Sequence, residues 1–179
     1  MALLIVAGSG PAAAQSSAGI VDEAKLGVLA HDVGIFGDNI EGGADIVGEV
    51  LFTSPEFFRI IGSPRPTLGA SVNTAGKTDY AYFDFTWTAT LWQPVLESKG
   101  GLYIGGFLGG AVHDGRLNST VDGDKALGTR ALYHLGAELG YQVTPVISVE
   151  AYFAHLSNAG AASHNGGLNN IGLRTGLNF

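Results

Sequence analysis

Between Tyr80 and Trp92 the chain alternates without a break. Ala81, Phe83, Phe85, Trp87, Ala89 and Leu91 share one parity and are apolar, whereas Tyr80, Tyr82, Asp84, Thr86, Thr88 and Thr90 share the other and are mostly polar. Successive side chains of a strand point to opposite faces, so the segment predicts a strand with one apolar and one polar face. It is longer than most strands of soluble sheets and close to the length of a tilted bilayer-crossing strand. Seven further segments read as strands with weaker contrast, at about 24–35, 42–53, 66–74, 101–112, 130–142, 146–157 and 168–179. Segment 42–53 is irregular, with Asp45, Val47, Glu49 and Leu51 on one parity.

The connections follow a second pattern. Gly37-Asp38-Asn39 and Thr74-Ala75-Gly76-Lys77 punctuate two hairpins, and Gln142 to Pro145 is a tight turn. His113 to Gly128 is long and polar, whereas Ser54 to Pro64, with Phe57, Phe58, Ile60 and Ile61, reads as a short interfacial helix or an irregular turn. No stretch past the N-terminus is long and apolar enough for a membrane helix. A span without a helix must be a closed barrel, because lipid cannot satisfy a free sheet edge. The pattern therefore predicts an all-β fold, an eight-stranded antiparallel transmembrane β-barrel, an allowed even strand number. With the N-terminus in the periplasm, the 113–128 loop falls outside the cell and the 142–145 turn inside, the usual long-outside, short-inside asymmetry. Gly105, Gly106, Gly109 and Gly110 are expected to make room in a narrow lumen.

Composition agrees. Only 14% of residues are charged, 46% are hydrophobic, and glycine is 28 of 179. Cysteine is absent, which excludes disulfides, thiolate metal sites and a cysteine nucleophile. The net charge of -7, without Lys/Arg clusters, argues against a nucleic-acid partner. Ala12-Ala13-Ala14 before Gln15, preceded by apolar Leu3 to Ala7, reads as the end of a truncated signal peptide. The expected organisation is a leader at 1–14 and a single outer-membrane barrel domain at 15–179.

Candidate chemistry concentrates at the C-terminal hairpin. His155 and Ser157 stand two residues apart and so share a face, about 6.6 Å apart along a strand. That face also carries Ile147, Val149, Ala151 and Phe153, the lipid side, where polar residues are costly and usually functional. Glu150 falls on the lumen side as an interior charge. If His155 pairs across the hairpin with residue 169, Asn169 stands beside it on the outer wall, followed by Ile171 and Leu173. Ser157, His155 and Asn169 then form a nucleophile, a base and an orienting group. Backbone N–H groups over Asn158-Ala159-Gly160, or the Asn158 side chain, are candidate oxyanion donors. Ala151, Phe153, Ile171 and Leu173 form a wall along which substrate acyl chains would lie.

His155-x-Ser157-Asn158-Ala159-Gly160, then Asn165-x-Gly167-Leu168, then a last strand ending in Phe179, resembles the PagL-type lipid A 3-O-deacylases of the acyloxyacyl hydrolase family. The resemblance is specific over 146–179 and architectural elsewhere. It implies an eight-stranded outer-membrane barrel that cleaves an ester-linked acyl chain from lipopolysaccharide at the outer leaflet, with no metal or other cofactor. It gives His155 the base role, Ser157 the nucleophile role, and Asn158 and Gly160 the oxyanion neighbourhood. The partners implied are lipid A, outer-membrane lipids and, through the strand ending in Phe179, the barrel assembly machinery. One position departs from the family: its acid falls on Asn169. An amide orients a histidine but cannot balance an imidazolium charge, and the same exchange in a serine protease costs about 10⁴ in kcat. A substitute carboxylate would come from another strand or loop, with Asp114, Asp122 and Asp124 as candidates. The alternative is a non-catalytic structural or lipid-binding barrel that has lost the triad acid. His31 and His134 are expected as lumen or rim residues and His164 as a solvated loop residue. The outer cations among Arg59, Arg65, Lys77, Lys99, Arg116 and Lys125 are candidates for lipid phosphates.

Overall fold

The alternating segments become eight strands in the computed structural model, which describes residues 19–94, 100–119 and 121–179. They are β1 (Val21–Ala30), β2 (Ala44–Phe52), β3 (Arg65–Asn73), β4 (Tyr80–Trp92), β5 (Gly101–His113), β6 (Ala131–Gln142), β7 (Ile147–Ser157) and β8 (Leu168–Asn178). Each pairs antiparallel with its neighbours in sequence, and β1 pairs with β8 from Glu23↔Asn178 to Ala30↔Ile171, closing the barrel. The expected leader at 1–14 lies outside the described residues, as does Lys99.

The irregular strand now has a physical reading. Asp45, Val47, Glu49 and Leu51 all point into the lumen and are buried, while Ile46 faces out. The inside of this barrel is a packed polar core, so charge and aliphatic carbon belong on one parity there. The glycines divide in the same way. A Cβ at Gly105 would fall 2.6 Å from Glu138 Cγ, so lumen crowding explains that glycine, and Gly109 is crowded by Asp84 and the β4 backbone. Gly106 and Gly110 are on the opposite parity and face outward, so a narrow lumen does not account for them.

Segment 54–64 contains a 3-10 helix, Glu56–Ile61. It folds against the lower outer wall, with the Phe58 ring 5.2 Å from Phe85 and the Trp87 indole donating to Ile61 O at 2.8 Å. Phe57 and Ile60 remain exposed, as an interfacial element requires.

The lumen is held by buried ion pairs. Lys25 Nζ lies 3.0 Å from Glu138 and 2.8 Å from Glu150. Arg174 lies over the Tyr152 ring at 3.8 Å and pairs with Glu49, Glu138 and Glu150, the last at 2.7 Å. His134 bonds Asp84 at 2.8 Å. Glu150 is thus a satisfied interior charge, as its parity indicates.

At the outer rim β1 ends sooner than the pattern suggests, because His31 is captured by two carboxylates on the far side of the first outer loop. Its Nδ1 lies 2.9 Å from Asp45 and its Nε2 3.0 Å from Glu41. Asp32 then adopts a left-handed backbone, φ 51°, and its carboxylate accepts the N–H groups of Ile40 and Glu41. Lys125, buried, reaches in from the 114–130 loop to Asp32 at 2.5 Å and to the Asp38 carbonyl at 2.6 Å. The first outer loop, residues 31–43, is therefore locked to the long outer loop.

That lock is pH dependent. Burial opposes a charged His31 ring, but hydrogen bonds to Asp45 and Glu41 outweigh it and raise the pKa from 6.5 to about 9. Burial also favours a neutral Glu41, but hydrogen bonds from His31, Lys125 and Thr78 outweigh it and lower the pKa from 4.5 to about 2. The raised histidine stabilises fully below its unfolded value and loses that stabilisation as pH rises through about 9; the lowered carboxylate does the reverse, losing it as pH falls towards about 2. The thermal unfolding midpoint in detergent is expected to fall as pH passes about 9, and less so in His31→Gln. Equal pH profiles for the two proteins would contradict the assignment.

Candidate active site

The outer wall over β6, β7 and β8 carries the site. On β7, Ala151, Phe153, His155 and Ser157 point outward, while Glu150, Tyr152, Ala154 and Leu156 are buried inside. Across the hairpin the register is His155↔Asn169, Phe153↔Ile171 and Ala151↔Leu173, the pairing on which the sequence reading is conditioned. His155 Nδ1 is 2.8 Å from Asn169 Oδ1. Ser157 stands on the same face one pleat further out. Among the described residues its hydroxyl makes no hydrogen bond to His155.

On the other side the register is Tyr133↔Ser157 and Leu135↔His155. Tyr133 is exposed and points outward, so the nucleophile candidate stands between a phenol on β6 and Gly167 before β8. A Cβ at Gly167 would come within 3.2 Å of His155 Cε1 and 3.3 Å of Leu156 O, tight enough to press on the histidine, but would make only ordinary contact with Ser157 Cβ at 3.8 Å. The sequence reading missed Tyr133: a count centred on the Gln142–Pro145 turn puts Ser157 opposite residue 130, whereas the observed register is centred on Pro145 and brings in Tyr133.

The structure commits several of the expected oxyanion donors. Asn158 N–H donates to Asn165 Oδ1 at 3.0 Å, and Gly160 N–H donates to Asn158 Oδ1 at 2.9 Å. Asn158 Nδ2 donates to the carbonyls of Leu127, at 2.9 Å, and His164, at 2.6 Å. Asn158 thus ties the 158–167 loop to the long outer loop. Of the three backbone N–H groups proposed from sequence, Ala159 N–H is unengaged among the described residues. Ala159 has a left-handed φ of 53°, followed by Gly160 at 79°.

Two of the three substitute carboxylates considered from the sequence, Asp114 and Asp124, are engaged elsewhere. Asp114 accepts from Asp79 N–H, and Asp124 pairs with Lys77 at 3.0 Å and Arg116 at 3.5 Å. The ring nitrogen Nδ1 of His155 is met by the amide of Asn169 and not by either of these carboxylates. Lys77, Arg116 and Lys125 are already paired with Asp124 or Asp32, and Arg65 with Glu23 at 2.8 Å. His164 is exposed in its loop. Among the described residues no group of three or more His, Asp or Glu is arranged to hold a metal ion.

One further residue completes the site. Phe36, from the first outer loop, sets its ring edge-on to His155 at 5.8 Å and to Phe153 at 5.9 Å. Asn169, on a lipid-facing parity, is fully buried beneath that loop. Below Phe153 the wall opens into an apolar trough of about 710 Å³, lined by Leu26, Val28, Leu139, Val149, Ala151 and Leu173.

A closed barrel with an apolar outer wall, carrying a serine, a histidine and an amide on that wall, defines an integral outer-membrane β-barrel with polar chemistry facing lipid. The family model for lipid A 3-O-deacylase (PagL) matches residues 58–178. The chain belongs to that family, one of outer-membrane hydrolases. The match begins in the 3-10 segment and so reaches well beyond the C-terminal motif. The crystal structure of the outer membrane enzyme PagL superposes with a TM-score of 0.67 at 16% identity, over 88% of this chain and 99% of that one, and shares its fold. The N-terminal β-barrel domain of Pseudomonas aeruginosa OprF and Neisserial surface protein A each align at a TM-score of 0.48 and 13% identity. They cover 88% and 89% of this chain and 98% and 96% of their own. Comparison with curated proteins gave no significant sequence match.

Proposed function

We propose that this protein removes an ester-linked acyl chain from lipid A, at the outer leaflet, by a Ser157-His155-Asn169 site on the outside of the barrel. The observation that carries the reading is the His155–Asn169 bond at 2.8 Å on the lipid-facing wall, with Ser157 on the same face. Asn169 Oδ1 accepts from His155 Nδ1–H and so leaves Nε2 unprotonated. Nε2 takes the Ser157 proton as Oγ attacks the ester carbonyl, and returns it to the leaving sugar oxygen. Water then attacks the acyl-serine by the same route. The tetrahedral oxyanion is met by Ala159 N–H, the donor left open at the strand end. A closing movement of Ser157 towards Nε2 accompanies substrate binding, since such bonds commonly tighten only in the complex.

The substrate arrives laterally through the membrane. Its acyl chains lie on Ala151, Phe153, Ile171 and Leu173 and descend into the trough below them, whose volume is that of an ordinary small-molecule site. Tyr133, beside Ser157, is placed to meet the sugar portion, an interfacial use to which tyrosine is suited. We read the cleaved ester as the one at position 3 of the glucosamine, a reading that family membership supports. The strand ending in Phe179 is the element through which we expect the assembly machinery to receive the chain.

Purified protein in detergent micelles is expected to release one fatty acid per lipopolysaccharide. Release of none, by protein shown to be folded, would favour the non-catalytic barrel.

A further inference from the structure

The third group of the site is an amide, and an amide has two different ends. Asn169 Oδ1 faces His155 Nδ1 at 2.8 Å, while Asn169 Nδ2 faces the backbone carbonyl of Phe36 at 3.4 Å. A carbonyl oxygen only accepts. The opposite amide orientation would set two oxygens against each other and present N–H groups to His155 Nδ1, which would impose the wrong histidine tautomer. The first outer loop is bound at the same place by its backbone: Val33 N–H donates to Asn169 O at 2.7 Å and Asp32 N–H to Asn170 Oδ1 at 3.0 Å. The Phe36 ring then closes over His155 and Phe153.

We propose that Phe36 is a positioning residue for the His155–Asn169 pair. Its carbonyl fixes which end of the amide meets the histidine, and its ring fixes the plane of the imidazole and keeps water from the buried amide. A carboxylate at 169 would need no such partner, because both its oxygens accept. The carbonyl is therefore matched to asparagine, and Asn169 belongs to a site built around an amide. Asn169→Asp would place an oxygen against the Phe36 carbonyl. The catalytic consequence rests on the function proposed above; the tautomer does not.

The test uses the full chain in detergent micelles and two readouts. Nitrogen-15 NMR of the histidine rings, at a pH where His155 is neutral, reports its tautomer. Hydrolysis of lipopolysaccharide reports kcat and KM. The native protein is expected to hold His155 with the proton on Nδ1. Phe36→Ala keeps the carbonyl but removes the ring that seats it over Asn169, and is expected to weaken that preference and to lower kcat by about tenfold to a hundredfold with little change in KM, as a misplaced catalytic group does. Phe36→Leu, which keeps an apolar cover, is expected to recover part of both. Phe36 is largely exposed, so its loss empties no core, and the heat-dependent gel shift of a folded barrel checks each variant. An unchanged tautomer in Phe36→Ala would overturn the proposal, as would an effect on KM alone, which would make Phe36 only part of the acyl wall. A tautomer shift in a protein that hydrolyses nothing would sustain the clamp and reject the proposed function.

Discussion

Ser157→Ala is expected to abolish ester cleavage, with a loss of about 10⁴ to 10⁶ in kcat, while the barrel stays folded. Ser157 is part-exposed on the outer wall at the end of β7 and contributes nothing to the lumen network, so its hydroxyl is removed at little structural cost. His155→Ala is expected to be nearly as severe, because serine and histidine act as one unit. The double variant is then little worse than either single one, since residual rate comes from binding and the oxyanion donor. Kinetics on purified protein decide this: multiplicative losses would mean that the two residues act separately. Asn169 sets the starting point. With an amide as the orienting group the imidazolium lacks a compensating charge, so the native rate should sit well below that of a site with a carboxylate.

Arg174→Met is expected to be the most damaging change to the fold. Arg174 is buried and answers Glu49, Glu138 and Glu150 together. Without it, Lys25 is left as the cation for a buried acidic cluster. Removing one partner of a buried ion pair typically costs about 3–5 kcal/mol, because the remaining charge stays desolvated. Urea unfolding in micelles should show a large fall in midpoint, and Glu150→Gln added to Arg174→Met should restore part of it. An unchanged midpoint would mean that water enters the lumen and screens the carboxylates. The proposed site should be little affected in geometry, since Asn169 is held by the first outer loop and by β7.

The architecture was legible because a barrel in a membrane writes a period of two into every strand. β4 declares it plainly, and six of the other seven strands fall within two residues of their sequence-based positions, β1 being the one displaced. Segment 42–53 obscured it only because Asp45 and Glu49 share a parity with Val47 and Leu51; in a charged, packed lumen these are the same kind of position. The His155–Asn169 pairing was conditional on the turn being centred near Ala162, and the register has that centre. What escaped depends on contacts across many residues. The end of β1 is set by His31 meeting Asp45 and Glu41, and the cover over Asn169 is supplied by Phe36, over a hundred positions away. No local period marks a loop that folds down over the wall. Nor does the sequence reveal that Asn158 spends its amide on Leu127 and His164.

The most direct measurement is mass spectrometry of lipid A from cells making this protein, beside cells making equal amounts of folded Ser157→Ala in the outer membrane. Lipid A lacking one ester-linked acyl chain, with the native protein alone, is the predicted result. Identical spectra from both cells would contradict a working deacylase and leave a barrel that keeps the constellation without the reaction.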